Sequence, residues 1–258
     1  TNETIEDKGT QTAENIVGDI AFKNIWFAYN DEDWVLKNIS FNVTKGETVA
    51  LVGATGAGKS SIINLLSRLY EFNKGQITVD DINIRDYQLN SLRENIGVVM
   101  QDVFLFSDSI ANNISLNNTN ISRTDIINAA KAVGADEFIS KLPNGYDFNS
   151  MERGAMLSVG QRQLIAFIRA YVYNPKILVL DEATSSIDSS SEKLIQKAIN
   201  VLTKGRTSII IAHRLATIQN ADKILVIDKG EILEQGTHQE LLKMNGQYKK
   251  LFDLQFKN

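Results

Sequence analysis

A glycine-rich stretch near the start of the chain has the residue types and spacing of a phosphate-binding loop. Residues 53–60 read Gly-Ala-Thr-Gly-Ala-Gly-Lys-Ser and satisfy the pattern G-x-x-x-x-G-K-[ST]. Glycines let the backbone curl so that successive N–H groups point at phosphate oxygens, and Lys59 neutralises the charge on those oxygens. Ser60 offers a hydroxyl to Mg²⁺, a hard ion that prefers oxygen ligands. The stretch therefore predicts nucleotide binding with Mg²⁺.

Two adjacent carboxylates follow about 120 residues later, from position 59 to position 181. They end an apolar run, Ile177 to Leu180, that has the composition of a buried strand. Proteins with a phosphate-binding loop place a second Mg²⁺ contact at the carboxyl end of such a strand, which predicts Asp181 as that contact. Glu182 would then accept a proton from, or orient, the water that attacks the γ-phosphate. An apolar run ending in Asp-Glu is common by itself, and the upstream loop favours the catalytic interpretation.

The elements around these motifs alternate between short apolar strands and amphipathic helices. Strand signals begin at Ile20 and include 35–43 and 48–52, and a helix is predicted from Lys59 to about Tyr70. Strands alternating with helices predict a mostly parallel sheet covered on both faces. The predicted fold class is therefore α/β, with a parallel-sheet core of the P-loop, RecA-like type and an N-terminal antiparallel β subdomain.

Helical patterns dominate the middle of the chain and predict a helical subdomain inserted at about 103–173. Its expected helices include 123–133, 136–141 and 159–173. Strands then return at 177–180, 207–211 and 223–227, with helices at 190–202 and 236–244 between and after them. The predicted domain runs from residue 19 to residue 258. Residues 1–18 are polar and lack periodicity, so we expect them to be a flexible lead-in or linker.

Composition narrows the class of protein. The 258 residues include 43% hydrophobic and 22% charged residues, which is typical of a folded globular chain. The net charge of -4 provides no positive field for nucleic acid, and the absence of cysteine excludes disulfides and thiolate sites. No apolar stretch approaches the roughly 20 residues of a membrane helix. The chain starts with Thr, which indicates a domain cut from a longer polypeptide.

A third motif lies between the phosphate-binding loop and the carboxylates. Residues 157–161 read Leu-Ser-Val-Gly-Gln, and at this point the chain resembles the nucleotide-binding domain of an ABC transporter, whose signature is L-S-G-G-Q. The chain departs from that signature at Val159, and we expect activity to survive because Ser158 and Gly160 remain. Ser158 can cap a helix that begins at Val159, so that its hydroxyl, backbone N–H groups and the helix dipole converge on an anion. The resemblance extends from about Ile20 to the C-terminus.

The resemblance also implies roles for residues outside the three motifs. Tyr29 matches the aromatic residue that stacks on adenine, and Gln101 matches the glutamine that reaches Mg²⁺ and the attacking water. Asp188 matches a loop that communicates across the family's dimer, and His213 matches the histidine that contacts the γ-phosphate. Each has a plainer interpretation: a packing aromatic for Tyr29, a polar loop residue for Gln101 and a structural histidine for His213. Their common register with the motifs favours the functional roles.

Motifs and resemblance together give the predicted site residues. The predicted catalytic residues are Glu182, His213, Gln101 and Lys59. The predicted metal ligands are Ser60, Gln101 and Asp181. The predicted ATP-binding residues are Tyr29, Gly53, Thr55, Gly56, Ala57, Gly58, Lys59, Ser60, Ser61, Gln101, Ser158, Gly160, Gln161 and Asp188.

The resemblance implies a head-to-tail dimer in which each ATP lies between one chain's phosphate-binding loop and the other chain's signature. Exporter domains are the closest in pattern, because of residues 104–106, 152–154 and 246–255. The family implies a membrane domain, N-terminal on the same polypeptide, and a position on the cytoplasmic face of the membrane. Residues 101–106 and 151–154 are the expected contacts to that membrane domain. The partner would be a second such domain, identical or related, and not nucleic acid.

Three other functions fit part of the sequence. A soluble ABC-type ATPase that acts as a mechanical clamp would show long coiled-coil insertions or a basic surface, and neither is present. A regulatory module that binds nucleotide without turnover is disfavoured by Glu182 and His213. A P-loop kinase would leave the signature unexplained.

Overall fold

The computed structural model of the chain describes residues 5–182 and 189–256 in two units. The first unit comprises the described residues up to Ile96, Lys176–Glu182 and the described residues from Gly205 onward. The second comprises Gly97–Pro175 and the described part of Ala183–Lys204. Asp188, the predicted contact across a dimer, lies outside the described residues.

Strands and helices are numbered in chain order. The strands are β1 (Ile20–Ala28), β2 (Trp34–Val43), β3 (Thr48–Val52), β4 (Lys74–Val79), β5 (Ile82–Asn83), β6 (Ile96–Val99), β7 (Ile177–Asp181), β8 (Thr207–Ile211), β9 (Lys223–Asp228) and β10 (Glu231–Gly236). The helices are α1 (Lys59–Leu66), α2 (Leu89–Glu94), α3 (Ile110–Ser115), α4 (Arg123–Val133), α5 (Asp136–Ser140), α6 (Val159–Tyr173), α7 (Ser189–Thr203), α8 (Leu215–Asn220), α9 (His238–Met244) and α10 (Gln247–Phe256).

An antiparallel sheet forms the N-terminal part of the first unit, as the sequence predicts. Its strand order is β2-β1-β4-β5. Every second side chain of β2 from Ile39 to Val43 is buried, and the rings of Phe22 and Phe41 stack across the strands with centroids 4.5 Å apart. This cross-strand packing fixes the register of the sheet.

A mostly parallel sheet carries the predicted chemistry. Strands of the first unit follow the order β10-β9-β3-β8-β7, and all neighbours except β10 and β9 are parallel. Every residue of β8 is buried, and so is nearly all of β3 and β7, because helices cover both faces of a parallel sheet. The carboxyl ends of β3, β7 and β8 therefore meet at one edge, where ligands bind in open α/β sheets.

Helix α1 is shorter than the sequence predicts. It ends at Leu66 instead of about Tyr70, because Arg68 adopts a left-handed backbone with φ of 48°. Leu69, which the periodicity assigned to the buried face, is 49% exposed. The guanidinium of Arg68 is buried and donates to the carbonyl oxygens of Ile84 and Tyr87. These bonds explain why the helix stops there.

The expected flexible lead-in is packed against the first unit over most of its described length. Ala13 and Ile16 are buried in the core, at 1% and 5% exposure. The backbone N–H groups of residues 17–19 all donate to the carboxylate of Asp80, at 2.6–2.9 Å. Periodicity does not reveal such a segment, since its order comes from backbone bonds to a distant carboxylate.

Most elements of the second unit are helices. Helix α6 packs against α3, α4 and α7, so the compact unit also includes a helix that lies after the predicted limit of 103–173. Ser158 caps α6 as predicted: its hydroxyl accepts the Gln161 N–H at 3.2 Å, and the Gln161 side chain accepts the Ser158 N–H at 3.0 Å. The signature thus begins a helix of 15 residues.

Through the described ranges, no helix combines the length and apolar character that crossing a membrane requires.

Candidate functional site

The phosphate-binding loop has a backbone that its glycines alone permit. Gly53 and Gly58 both have positive φ, of 154° and 105°. A Cβ atom would lie 2.1 Å from the carbonyl oxygen of Ile227 at the first position and 2.7 Å from a methyl of Leu36 at the second. Gly58 is also the N-cap of α1, and no side chain occupies the cap position. No side-chain cap therefore competes with an anion for the amides at the start of α1.

Lys59 is held against the loop that it follows. Its side chain is buried, and its ammonium donates to the carbonyl oxygens of Gly53 at 2.8 Å and Ala54 at 2.9 Å. Burial lowers the pKa of Lys59, and the nearby charge of Asp181 opposes that shift. The structure thus brings together the lysine and the first carboxylate of the sequence motif.

Glu182 is almost fully buried, at 1% exposure, and each of its oxygens is hydrogen-bonded. Oε2 accepts the backbone N–H of His213 at 2.8 Å and of Arg214 at 3.1 Å, and Oε1 accepts the hydroxyl of Thr217. Burial raises the pKa of Glu182, although these bonds and the charge of Arg214 act in the opposite direction. A carboxylate with a raised pKa accepts a proton more readily than an ordinary one.

His213 follows β8 and lies in the same unit as the loop and the carboxylates. Its imidazole is half-buried; burial first, and the charge of Lys59 second, lower the pKa of His213. The lowered pKa favours the neutral ring, which has one N–H donor and one acceptor nitrogen.

The electrostatic link between Lys59 and His213 has a measurable consequence. In a Lys59→Ala variant, the pKa of His213 is expected to rise, because a positive charge that disfavours the imidazolium has been removed. Imidazole proton resonances followed by NMR over pH 5 to 8 measure it. The chain has two histidines, so His238 is an internal control whose pKa should not move. An unchanged His213, or equal shifts at both rings, would contradict the link.

Tyr29 presents an exposed ring beside α1. It is 45% exposed, its hydroxyl lies 3.0 Å from Ser61 Oγ, and its ring meets Tyr70 edge to face at 4.9 Å. An aromatic face open to solvent is suited to stacking on a nucleobase. The hydrogen bond between Tyr29 and Ser61 links the predicted adenine contact to the first turn of α1.

Gln101 and the signature belong to the second unit. Gln101 is half-buried, Ser158 is exposed at the start of α6, and Gly160 is buried within that helix. Gln161 uses its side chain for the capping box. The first unit therefore brings together the loop, Asp181, Glu182 and His213, while these other predicted residues lie on the second unit.

Sequence reasoning missed Thr217, which binds Glu182 directly. The one available signal is its position four residues after His213, within the first turn of α8. Such a spacing has no meaning until the fold places α8 beside the end of β7.

The donor set fits an ATP-bound Mg²⁺ ion. Ser60 contributes an exposed hydroxyl and Asp181 a half-buried carboxylate. Over residues 5–182 and 189–256, no group of three or more His, Cys, Asp and Glu side chains could hold a metal by itself. Two oxygen donors suit Mg²⁺, which takes its other ligands from phosphates and water.

Comparison with known proteins decides the family. The profile of the family described as ABC transporter matches residues 36–185, which include the phosphate-binding loop, the signature and both carboxylates. The chain belongs to the ABC transporter family. It is therefore an ATP-binding ABC domain, and the family implies ATPase activity.

Proteins named for transport are similar to nearly the whole of this chain. The ABC domain is 54% identical over 253 residues to the ATP-dependent lipid A-core flippase of Haemophilus influenzae, covering 97% of this chain and 43% of that protein. It is 48% identical to the probable multidrug resistance ABC transporter ATP-binding/permease protein YheH of Bacillus subtilis, covering 98% of this chain and 38% of that protein. The chain thus spans less than half the length of these relatives.

A solved structure agrees with the fold. A bacterial Atm1-family ABC exporter with ATP bound matches 99% of this ABC domain and 46% of its own chain, with a TM-score of 0.90 and 39% identity. The α/β class with antiparallel and parallel sheets, predicted from the sequence, is confirmed by this match.

Proposed function

We propose that this domain binds ATP with Mg²⁺ and hydrolyses it to drive an ABC exporter, closing head to tail with a second such domain on two ATP molecules. The observation that carries the proposal is the arrangement at the sheet edge. There a buried lysine, two carboxylates and a histidine with a lowered pKa accompany the loop. A side chain at Gly53 or Gly58 of that loop would clash with neighbouring atoms.

The residues divide the hydrolytic step among them. A water molecule gives its proton to Glu182 while its oxygen bonds to the γ-phosphorus, and the bond from that phosphorus to the bridging oxygen of ADP breaks. Lys59 turns its ammonium from the loop carbonyls to the β- and γ-phosphate oxygens. His213 donates its N–H to the γ-phosphate. Ser60 and Asp181 would hold Mg²⁺, which when bound would neutralise part of the phosphate charge.

The signature supplies the second half of each site in the dimer. Ser158 and the first amides of α6 present a hydroxyl, N–H groups and the positive end of the helix dipole to the γ-phosphate bound by the other chain. Binding of ATP closes the pair, and loss of the γ-phosphate releases it.

The membrane portion completes the exporter. We infer that it precedes this domain on the same polypeptide and holds the domain at the cytoplasmic face of the membrane, since the relatives include a flippase and a combined ATP-binding/permease protein. Phe104, Phe106 and Met151 are each more than half exposed, which supports residues 101–106 and 151–154 as the docking surface.

A mixing experiment tests the shared site. Ser158→Asp keeps a good helix cap but places a negative charge where phosphate binds, and Lys59→Ala removes the loop lysine. Each variant alone is expected to be nearly inactive. An equal mixture should regain about a quarter of wild-type turnover, because half of the dimers are mixed and half of the sites in each are intact.

Ser158→Asn is the matched control, because asparagine caps the helix without adding charge. It should keep more activity than Ser158→Asp. A mixture no more active than its two components would show that sites are not shared between chains.

Coupling of ATP hydrolysis to export is tested by placing this domain in a related transporter. Replacing the corresponding domain of the Haemophilus influenzae flippase with this chain should preserve ATP-dependent lipid movement in vesicles. ATP hydrolysis without lipid movement would leave an ATPase and overturn the exporter role.

A further inference from the structure

Thr217 is a buried polar residue with a direct contact to the carboxylate of Glu182. Its side chain is 3% exposed, and its hydroxyl donates to Glu182 Oε1. It lies in the first turn of α8, which begins directly after the two residues whose backbone N–H groups bind the other oxygen. One short segment, 213–217, thus binds the carboxylate through three donors.

The three donors have unequal roles. The two backbone N–H groups converge on Oε2 and fix the position of that oxygen, but the carboxylate could still turn about it. The terminal torsion of glutamate is broad and poorly restrained by its own geometry. The bond from Thr217 to Oε1 holds the second oxygen, and two held oxygens define the plane of the group.

The surroundings make the threonine itself well ordered. A β-branched side chain in a helix has few χ1 rotamers, and burial removes competition from water for the hydroxyl. The backbone donors cannot be removed by changing a side chain, whereas the hydroxyl can. A substitution at Thr217 can therefore remove one of the three hydrogen bonds to Glu182 and leave the two backbone bonds in place.

We propose that Thr217 is a positioning residue for ATP hydrolysis, whose hydroxyl fixes the carboxylate plane of Glu182 so that the group is aimed at the attacking water. The inference rests on the proposed function, in which Glu182 accepts the proton. The hydroxyl of Thr217 contacts the Glu182 carboxylate, so Thr217 would act through that residue.

Thr217→Val and Thr217→Ser test this role in the whole chain. Valine has nearly the same shape without the hydroxyl, and it should lower kcat about 10-fold to 100-fold, since misorientation of a catalytic group has effects of this order. The KM for ATP and the affinity for ADP should stay within twofold of wild type. Serine retains the hydroxyl and should restore kcat to within about threefold of wild type.

Thr207→Val is the matched control. Thr207 is equally buried, at 1% exposure, and its hydroxyl accepts the backbone N–H of Gly46 at 3.1 Å. It lies at the opposite end of β8 from His213, so its substitution removes a buried hydrogen bond far from the carboxylate. Its kcat should equal that of wild type, and if Thr217→Val does not fold, Thr217→Ala makes the same comparison.

Several outcomes separate this inference from the proposed function. Equal turnover by wild type and Glu182→Gln would overturn the proposed role of Glu182, and this inference with it. With that role established, wild-type kcat in Thr217→Val would overturn the positioning role alone. In a Glu182→Gln background, Thr217→Val should cause no further loss; an added loss of the same size would show that Thr217 does not act through Glu182.

Discussion

A Lys59→Ala variant is expected to lose ATP turnover by about 100-fold or more and to bind ATP much more weakly. The ammonium is buried beside the loop and is the one loop side chain that can neutralise phosphate charge. Each hydrogen bond to a charged group contributes about 1.5–3 kcal/mol, which corresponds to roughly tenfold or more in affinity. Calorimetric titration with ATP measures the binding, and phosphate release measures the turnover.

Lys45→Ala is the control for loss of a positive charge in the same unit. The Lys45 side chain is exposed and lies before β3, whereas the loop follows the other end of that strand. Its substitution should leave affinity and turnover near wild type. Equal losses in both variants would mean that general charge, and not contact with phosphate, explains the effect.

A Glu182→Gln variant is expected to bind ATP but to hydrolyse it about 10² to 10⁴ times more slowly, because the amide cannot accept the proton. If closure precedes hydrolysis, the variant should accumulate as an ATP-bound dimer. Light scattering with and without Mg-ATP measures that dimer, and phosphate release measures turnover. Unchanged hydrolysis would exclude Glu182 as the base, while binding without dimer or turnover in either protein would favour a regulatory module.

The unfolding temperature of Glu182→Gln shows whether its loss of hydrolysis comes from misfolding. Burial raises the pKa of Glu182 above its ordinary 4.5, so the folded state holds the proton more tightly than the unfolded chain. The resulting stability is complete below pH 4.5 and is lost as the pH rises through the raised pKa. Glu182→Gln, which has no charge to bury, should therefore unfold at an equal or higher temperature than wild type at pH 7 to 8. That difference should shrink toward pH 4.5. The exposed Glu231→Gln should show neither effect.

Local patterns predicted the parts of the site that local chemistry determines. The spacing of residues 53–60 predicts the loop, because Gly53, Gly56 and Gly58 all have positive φ, a local backbone requirement that favours glycine. The apolar run before Asp181 predicts β7, because both faces of a parallel strand are buried. Ser158 and Gln161 predict the start of α6, since a capping box is a local device.

Features that depend on contacts distant in sequence were not predictable. Thr217 binds a carboxylate 35 positions earlier, and nothing in its neighbours signals that partner. The end of α1 depends on a left-handed Arg68 whose guanidinium bonds residues 16 and 19 positions away. Helical periodicity continues past that point, so Leu69 was wrongly assigned to the core.

The hydrogen bonds from the backbone N–H groups of residues 17–19 to the Asp80 carboxylate affect where a shortened domain should begin. The sequence alone places the start of the domain at residue 19, and strand periodicity begins at Ile20. A chain trimmed to begin at Ile20 would lose the buried side chains of Ala13 and Ile16 and leave the Asp80 carboxylate without the three amides it binds. Rates compared between preparations that start on either side of this segment would then report differences in folding as well as in catalysis. A shortened chain should therefore begin upstream of this segment.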